Sequence, residues 1–544
     1  MAASPDIETP VLIVGAGPVG LALAGDLGWR GVPCTVVEQS DGSIYQPRQD
    51  LVGIRTMEFC RRWGIVGEVD ACPYPRDYPQ DNVYVAGSLA EGWEIGRYES
   101  PSMNEARPPP QSPQRRERCP QNMFDPVLRR FAESFSSVEL RYRHRLAGFA
   151  QDADGVTAEI DDLQAERRAR IRARYLVACD GAGSTVRSQT GIRMLGNPAL
   201  TYTTNVIFRC DDFEALHKLR PGYRFILLGI EGTWATIVAI NGRDQWRFSI
   251  VRSGGQFGAP DEATVRDAIR LAVGCEFDYE ILSIVPWTRR ELVAEKFSDG
   301  RVLIAGDAAH VMSPTGGFGM NTGVGDAVDL SWKLDALLQG WGGGRLIDSY
   351  TLERRPVALR NVTEASGNLA RMLSPGHNPA LLDYTPEGAR VRSDVGAALA
   401  QAMMREWSTL GMHLGYYYEG SPLCCPDGEP PPSLDPAVYV QTARPGSRAP
   451  HVWLGDGRST LDLFGRSFVL LALGSAQPDP GPLVEAARRA GLPLHVVRLD
   501  EPAVVKAYER ALVLVRPDGH VAWRDDAAPA DPAAVIDRVR GAAN

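Results

Sequence analysis

The chain has no long uninterrupted apolar run, no cysteine framework and no excess of positive charge, and each absence removes a class of function. Its longest apolar stretch, VLIVGAGPVGLALAG (residues 11–25), is broken by Gly-Ala-Gly-Pro and preceded by Asp6 and Glu8 rather than by a basic segment. That argues against a signal peptide or a membrane span and for a cytoplasmic protein. Nine cysteines stand at 34, 60, 72, 119, 179, 210, 275, 424 and 425, with no CxxC among them. An odd number without a spacing pattern reads as reduced thiols. The eight histidines are dispersed without metal-ligand spacing, so no metal centre is expected. A net charge of −9 argues against nucleic-acid or anionic-membrane binding. The local basic stretches, 115–118 and ERRARIRAR (166–174), read as solvated faces. No internal repeat is apparent.

What remains is an ordinary globular composition, 44% apolar and 23% charged, over 544 residues. That length suggests two to four domains. Residues 11–14 form an apolar run suited to a buried parallel strand; glycine punctuation, an apolar helix to about Gly28 and a β-branched run at 34–37 follow. The order strand, turn, helix, strand is a βαβ unit. A proline-rich excursion occupies 101–113, and 127–135 reads as a helix capped by Asp125 ahead of Pro126. Alternation at 156–160 and 170–178 predicts a strand pair turning at Asp161–Asp162. Alternating aromatic and β-branched stretches between about 195 and 284 predict a mostly antiparallel sheet. A short strand at 302–305 precedes a long helix from about Gly319 to Leu338. After a turn-rich stretch at 422–436, strands at 467–473 and 511–515 and an Asp-Gly hairpin at 516–524 predict a small carboxy-terminal α/β unit.

Three separated motifs carry the chemistry. In Gly15-Ala16-Gly17-Pro18-Val19-Gly20, the first glycine makes a tight turn and the second admits a pyrophosphate against bare backbone. The third lets the helix pack on the strand, and the helix start then holds the phosphates. Glu38, eighteen residues after Gly20 and followed by Gln39, closes the second strand where a carboxylate would meet ribose hydroxyls. The second motif is CDGAGSTVR (179–187), containing Asp180 and Gly181. The third, IAGDAAHVMSPTGGFGMNTGVGDAVDLSWKL (304–334), runs from Gly306-Asp307 through His310 and Pro314 into a glycine-rich helix start. His310, with no carboxylate or nucleophile partner identifiable, reads as structural or as a minor neighbour of a bound cofactor.

On these three motifs, in this order and spacing, the chain resembles the class A flavoprotein aromatic hydroxylases, the family of para-hydroxybenzoate hydroxylase and phenol hydroxylase, from Val11 to about Asn361. The resemblance implies FAD as cofactor and NADPH or NADH as co-substrate, with no second GxGxxG for a separate nicotinamide domain. It implies that Arg48, Gln121, Asp180, Gly181 and Asp307 serve the cofactor. Pro314, Gly317, Gly319, Met320 and Asn321 would wrap the isoalloxazine ring, with the helix start facing its N1 and C2=O. Phe318 stands where the family usually has glutamine in GGQGMN, and is read as part of the wall of the site. The segments RPGSRAPHVWL (444–454) and TLDLFGRSFVLL (460–471) resemble the thioredoxin-like appendix of the phenol hydroxylase branch; lacking cysteine, this part is expected to be structural or to support a dimer. The expected fold is α/β. A Rossmann-like FAD-binding domain (1–75, 110–192, 285–400) is joined by a mixed-sheet substrate domain (76–109, 193–284). A linker (401–438) and a thioredoxin-like domain (439–544) complete it. A homodimer is the family expectation.

The implied reaction is ring hydroxylation by O2 through a flavin 4a-hydroperoxide, on a phenolic or hydroxylated heteroaromatic substrate. Asp50, five residues before Arg55-Thr56 as in the phenol hydroxylase branch, is the candidate base. Counting back from Glu295-Lys296-Phe297 puts Trp287 where that branch has a tyrosine, which questions a transferred aspartate–tyrosine mechanism but leaves a ring for stacking. Tyr223, Arg289 and Arg290 are weaker pocket candidates. A flavin halogenase would share the fold but normally carries WxWxIP, which is absent, and a prenyl-chain reductase would not be expected to carry the thioredoxin-like tail. A catalytically silent flavin-binding scaffold is disfavoured by intact motifs at all three places, and a nicotinamide dehydrogenase without flavin leaves the glycine loop at 316–321 without a purpose.

Overall fold

The computed structural model describes residues 6–252, 260–475 and 478–543. The apolar run at 11–14 lies inside strand Ile7–Val14, which is paired in parallel with Cys34–Glu38 on one side and Arg167–Ala178 on the other. Val302–Ile304 extends the parallel set beyond Arg167–Ala178, and Val138–Tyr142 closes the other edge. Val11, Leu12 and Ile13 are fully buried, as expected of a parallel strand covered on both faces.

This strand order brings the motifs together. Val14 is in register with Val37 and Ala178, and Ala178 with Ile304. Gly15-Ala16-Gly17, Glu38-Gln39, Cys179-Asp180-Gly181 and Gly306-Asp307 therefore all emerge at the carboxyl ends of adjacent parallel strands. That edge is where open α/β sheets bind ligands.

A second sheet runs in the order His310–Val311, Glu280–Ala294, Met194–Arg209, Gln245–Arg252, Gly232–Ala239, Arg224–Gly229, Asn82–Ala86, Trp93–Tyr98. Its described pairings are antiparallel, except that Arg224–Gly229 runs parallel to Asn82–Ala86. The carboxy-terminal sheet has the order Leu494–Leu499, Phe468–Leu473, Leu512–Val515, Val521–Asp525, with only the first pair parallel. With helices Gly481–Arg489 and Pro532–Val539, this is a thioredoxin-like arrangement. The Asp-Gly hairpin forms as expected: Gly519 takes a φ of 85° and the Arg516 amide donates to His520 O at 2.8 Å.

Three local expectations are corrected. Asp161 and Asp162 belong to strand Val156–Asp162, and the turn follows them. Asp162 Oδ1 accepts from the amides of Gln164 (3.1 Å) and Ala165 (2.9 Å), so its side chain nucleates the turn instead of forming its tip. Asp125 is not a helix cap: the helix is Gln121–Glu133 with Pro120 at its start, and Asp125 is buried within its second turn. Pro126, expected at the helix start, lies inside and forgoes one intrahelical bond. The stretch expected as a linker opens helically, since Pro386–Trp407 continues past residue 400.

Helices Phe318–Gln339 and Arg345–Met372 meet the carboxy-terminal hairpin through a buried ionic cluster. Arg516 Nη2 lies 3.0 Å from Glu353 Oε2 and 2.7 Å from Asp518 Oδ2. Lys333 Nζ lies 2.7 Å from Asp329 and 2.6 Å from Glu353. None of these side chains is more than 3% exposed. One turn away, Arg354 Nε donates to Asp326 Oδ1 at 2.8 Å, which ties the cluster to the Gly306-Asp307 turn described next.

Candidate functional site

A cavity of about 430 Å3 opens at the carboxyl ends of the parallel strands. Gly15, Gly17, Glu38, Gln39, Arg48, Asp180 and Gly181 line it, joined by Asp125, which the sequence did not single out for this role. The three glycines of the first motif have distinct reasons. A Cβ on Gly15 (φ 104°) would sit 2.4 Å from Cys179 O, and one on Gly20 1.9 Å from Gly15 O. A Cβ on Gly17 would meet no atom within 4 Å, so no protein contact demands glycine there. Gly181 and Gly183 likewise face open space. Pro18 occupies the first turn of helix Pro18–Arg30, whose fixed φ suits that position.

The carboxylates of this cavity show what they lack. Glu38 accepts from Ala16 N at 2.9 Å and Ser40 N at 2.8 Å, which fixes it at the strand end. Asp180 Oδ1 and Asp125 Oδ1 are buried without a partner. Burial raises the Asp180 carboxyl and pushes that of Asp125 up to about 7. Asp307, in the turn Gly306–Ala308, is not among the lining residues; burial raises its carboxyl against the opposing pull of His310 and Arg48. An elongated cleft with bare backbone, a helix amino terminus and unsatisfied carboxylates fits a dinucleotide: phosphates at the amides, hydroxyls at the acids.

His310 does have a carboxylate partner. Its Nε2 lies 2.8 Å from Asp326 Oδ2, both are wholly buried, and the same oxygen accepts from Gly306 N at 3.1 Å. The histidine thus braces the Gly306-Asp307 turn. The partner lies sixteen residues downstream on the long helix, a distance at which sequence spacing alone carries no signal.

A second cavity, of about 300 Å3, shares Arg48 with the first. Pro314, Thr315, Gly316 and Gly317 line it together with Asp50, Trp287 and Tyr223. Gly316 (φ 86°) and Gly317 (φ 66°) adopt left-handed backbone that glycine alone takes without strain. The helix beginning at Phe318 starts at this loop. Gly319 and Met320 lie in its first turn, and a Cβ on Gly319 would come no nearer than 3.8 Å to Met312. Asn321 uses its whole side chain within the protein. Its Oδ1 accepts from Gly53 N (2.8 Å) and Thr56 Oγ1 (2.7 Å), and its Nδ2 donates to Leu51 O (3.1 Å) and Gly317 O (2.7 Å). It locks the glycine loop to the segment that carries Asp50. Gln121 acts similarly on the other side, its Oε1 accepting from Arg48 N at 3.0 Å. Phe318 is 2% exposed, packs beside Gly316 and His413, and is not among the lining residues.

The chemistry of this cavity is dominated by charge. Asp50 Oδ1 accepts from Arg118 Nη1 at 2.9 Å, and Arg247 Nη2 lies 3.5 Å from Oδ2. The Tyr223 hydroxyl donates to Oδ2, and the Arg118 guanidinium stacks 3.6 Å from the Tyr223 ring centre. Burial would raise the Asp50 carboxyl, but Arg118, Arg247 and the Tyr223 hydroxyl outweigh it and hold it below the ordinary range. Burial raises the Tyr223 phenol well above its usual value, so it stays protonated. The tyrosine beside Asp50 thus comes from the second sheet, next to strand Arg224–Gly229, while Trp287 stands in Glu280–Ala294 with Arg48 5.4 Å from its ring centre. Arg289 lines the cavity and Arg290, next along the strand, does not. The expectation of a solvated face at 115–118 is corrected: Arg118 is only 8% exposed, its guanidinium drawn inward by Gln80 and Asp50. Arg224, Arg247 and Glu406, which also line the cavity, were not singled out from sequence.

Fold and site together define a dinucleotide-binding protein with a second cavity against its glycine loop. The comparisons agree: the family model for the FAD binding domain matches residues 8–365, and that for the aromatic-ring hydroxylase C-terminal region matches 442–543. The chain belongs to the FAD-dependent aromatic-ring hydroxylases and is a monooxygenase using FAD, with NAD(P)H as co-substrate. It is 34% identical to tetracenomycin B2 monooxygenase-dioxygenase of Streptomyces olivaceus, over 98% of each chain. It is 34% identical to 4-methyl-5-nitrocatechol 5-monooxygenase of a Burkholderia species, again over 98% of each. Among solved structures, chromopyrrolic acid-soaked RebC with bound 7-carboxy-K252c superposes with a TM-score of 0.91 at 40% identity, covering 99% of this chain and 100% of that one. The flavin-dependent monooxygenase PieE, in complex with FAD and substrate, gives 0.87 at 30% identity, with 99% and 100% covered.

Proposed function

We propose that this enzyme hydroxylates a phenolic or hydroxylated fused aromatic ring, bound in the second cavity between Trp287 and the Asp50–Tyr223 pair. The observation that carries the reading is that pair, a carboxylate held ionised beside a protonated phenol, in the same cavity as the Pro314–Gly317 loop. FAD, when bound, supplies the reductive activation of O2. The chain's own residues do the rest. Trp287 offers a face for the ring. A ring hydroxyl within reach of Asp50 or Tyr223 Oη donates its hydrogen bond there, which raises electron density at the ortho and para carbons. Because Asp50 is held low by Arg118 and Arg247, it acts as a fixed acceptor more than as a strong base, and Tyr223 passes the polarisation on. Gln121 holds the backbone of Arg48, which lines both cavities. The relatives' names, one for tetracenomycin B2 and one for 4-methyl-5-nitrocatechol, support a hydroxylated aromatic substrate.

We read the functional division as a cofactor part built on the first sheet, a substrate part built on the second and a thioredoxin-like part tied to helices Phe318–Gln339 and Arg345–Met372. All nine cysteines are unpaired, which supports a reducing, cytoplasmic setting, and the homodimer rests on the family resemblance. No described helix is long and apolar enough to cross a membrane.

The test is NADH and NADPH oxidation by FAD-loaded protein across phenols, catechols, naphthols and hydroxylated polycycles, with product and hydrogen peroxide quantified together. Ring-dependent acceleration with product equal to NAD(P)H consumed supports the reading. Oxidation that only ever yields peroxide sinks it.

A further inference from the structure

A third cavity, of about 170 Å3, lies where the carboxy-terminal part meets the cofactor part, and no step of the proposed reaction uses it. Helix Ile54–Trp63 supplies one wall, and Leu461, Asp462, Phe464 and Gly519 supply the other. Among the described residues three arginines line it, Arg55, Arg61 and Arg62, against two carboxylates, Glu58 and Asp462. Both carboxylates are engaged. Glu58 accepts from Arg55 Nη1 at 2.8 Å and from Arg448 Nε at 3.0 Å. Asp462 takes the side-on fork of Arg61, Nε at 2.7 Å and Nη2 at 2.8 Å. Arg62 is different: its guanidinium makes no hydrogen bond or ion pair among the described residues, and lies 5.5 Å from the Phe59 ring centre. Its Nη1 is shut away from solvent, but Nε and Nη2, the same side-on fork that Arg61 uses, are not. Gly519 (φ 85°) stands over that fork: a Cβ there would come 3.2 Å from Arg62 Nη2 and 3.5 Å from Arg55 Nη2, so two guanidinium groups converge on one point beneath bare backbone. Burial pushes Arg62 down to about 10, with Asp26 and Asp518 pulling against it and Arg55 and Arg30 with it. Converging cations, one of them unpaired, are costly unless an anion joins them.

Size and chemistry select the anion. The cavity is smaller than the roughly 300–1,000 Å3 of pockets that take drug-sized ligands, so a small ion or a compact ester fits. Its rings already carry cations: Arg55 lies 4.5 Å from the Phe59 centre, and Arg30 and Arg466 lie 5.6 and 4.6 Å from that of Trp29. The cavity thus presents charge rather than a stacking surface. A planar carboxylate fills one fork. A tetrahedral phosphate fills the Arg62 fork and still turns an oxygen toward Arg55 Nη2.

We propose that this cavity binds a phosphate group, as the free ion or as a small phosphomonoester, on the Nε–Nη2 fork of Arg62 with Arg55 Nη2 as a further donor. The site is separate from the two cavities described above and stands whatever ring the enzyme hydroxylates. A phosphate held there ties helix Ile54–Trp63 to the carboxy-terminal hairpin. Because Thr56 in that helix and Gly53 at its start both hold Asn321, the ion also steadies the glycine loop.

The experiment titrates FAD-loaded enzyme calorimetrically with inorganic phosphate, glycerol 3-phosphate and acetate at constant ionic strength. At least one of the two phosphates should bind with a Kd of about 1 mM or below, and acetate at least roughly tenfold more weakly. The tighter of the two phosphates identifies the free ion or the ester as the source. Arg62→Gln should weaken phosphate binding at least roughly tenfold, and Arg62→Lys, a point charge without the fork, by less. In wild type, phosphate should slow the modification of Arg62 by phenylglyoxal, read by peptide mass mapping, a measurement that needs no variant. No phosphate binding below about 10 mM, or acetate equal to phosphate, overturns the proposal. So does unchanged binding in Arg62→Gln, which would assign the ion to the arginines of the second cavity. An Arg62 modified equally fast with and without phosphate overturns it as well.

Discussion

Replacing Gly17 and Gly20 with alanine, one at a time, separates what the protein needs from what its cofactor needs. Gly17 has φ −73° and ψ −179°, backbone that alanine adopts freely, and its added Cβ would meet no protein atom within 4 Å. Two small terms act on the apoprotein. Alanine is a poorer helix cap than glycine, a loss of about 0.5–1 kcal/mol, and it restricts the unfolded chain, a gain of about 0.4–1 kcal/mol. They nearly cancel, so Gly17→Ala should leave the urea midpoint of the apoprotein unchanged within about 1 kcal/mol. Toward the cofactor the same methyl stands where a phosphate must approach the amides. Losing one charge-assisted hydrogen bond costs about 1.5–3 kcal/mol, or roughly 10- to 150-fold in FAD affinity. Gly20→Ala should do the reverse first: its Cβ would lie 1.9 Å from the Gly15 carbonyl oxygen, so strand and helix must separate. That overpacking should lower apoprotein stability by about 1–3 kcal/mol before any FAD is added. Urea unfolding of the two apoproteins, with FAD titrated by flavin fluorescence quenching, measures both quantities. A Gly17→Ala protein that binds FAD like wild type, or that is destabilised as much as Gly20→Ala, would refute the assignment of that glycine to the cofactor.

Three further outcomes follow from the buried charges. Asp125, with its carboxyl raised from 3.8 to about 7, keeps a proton that the unfolded chain has lost, so its contribution is fully present below pH 3.8 and is lost as pH rises toward 7. Apoprotein stability measured in urea should decline by up to about 1.4 kcal/mol per pH unit over that window, and Asp125→Asn should flatten the profile. Arg516→Met strands Glu353 and Asp518 with Lys333 as the remaining cation of the cluster, and should cost about 3–5 kcal/mol by thermal unfolding. Arg516→Met combined with Glu353→Leu should recover part of that loss. Asp50→Asn should retain FAD, yet lower product formation by roughly 100-fold or more. Because the Asp50 carboxyl lies below the ordinary range, the wild-type rate should show no ionisation of this group between pH 5 and 9.

The cavity at the strand ends was legible because each of its motifs is local. The turn of Gly15, the open face of Gly17 and the packing of Gly20 all follow from six consecutive residues, and only the pairing of strands 7–14, 167–178 and 302–304 had to assemble them. The long helix was legible for the same reason, Phe318–Gln339 against an expected 319–338. What depended on distant partners was not. The Asp326 that braces His310, and the Tyr223 that reaches Asp50 across 173 residues, are set by which strands become neighbours. Asp125 misled because an acidic residue before proline is a common helix start, whereas here the burial of Phe124, Val127 and Leu128 extends the helix ahead of it. The turn after Asp162 was missed by two residues because a side chain that organises a turn also sits comfortably at a strand end.

The buried cluster around Arg516 bears on how this architecture can change over time. A tail that merely rested on its neighbour could be exchanged among relatives as a cassette. Here the donor of the key charge lies beyond residue 510 and its acceptors near 330 and 350, in separate stretches of the gene. A tail grafted from a relative with an apolar residue at 516 would leave Glu353 stranded, and the reverse graft would bury a lone guanidinium. The two halves can therefore diverge only in concert, and chimaeras of these enzymes should be cut so that Lys333, Glu353 and Arg516 are inherited together.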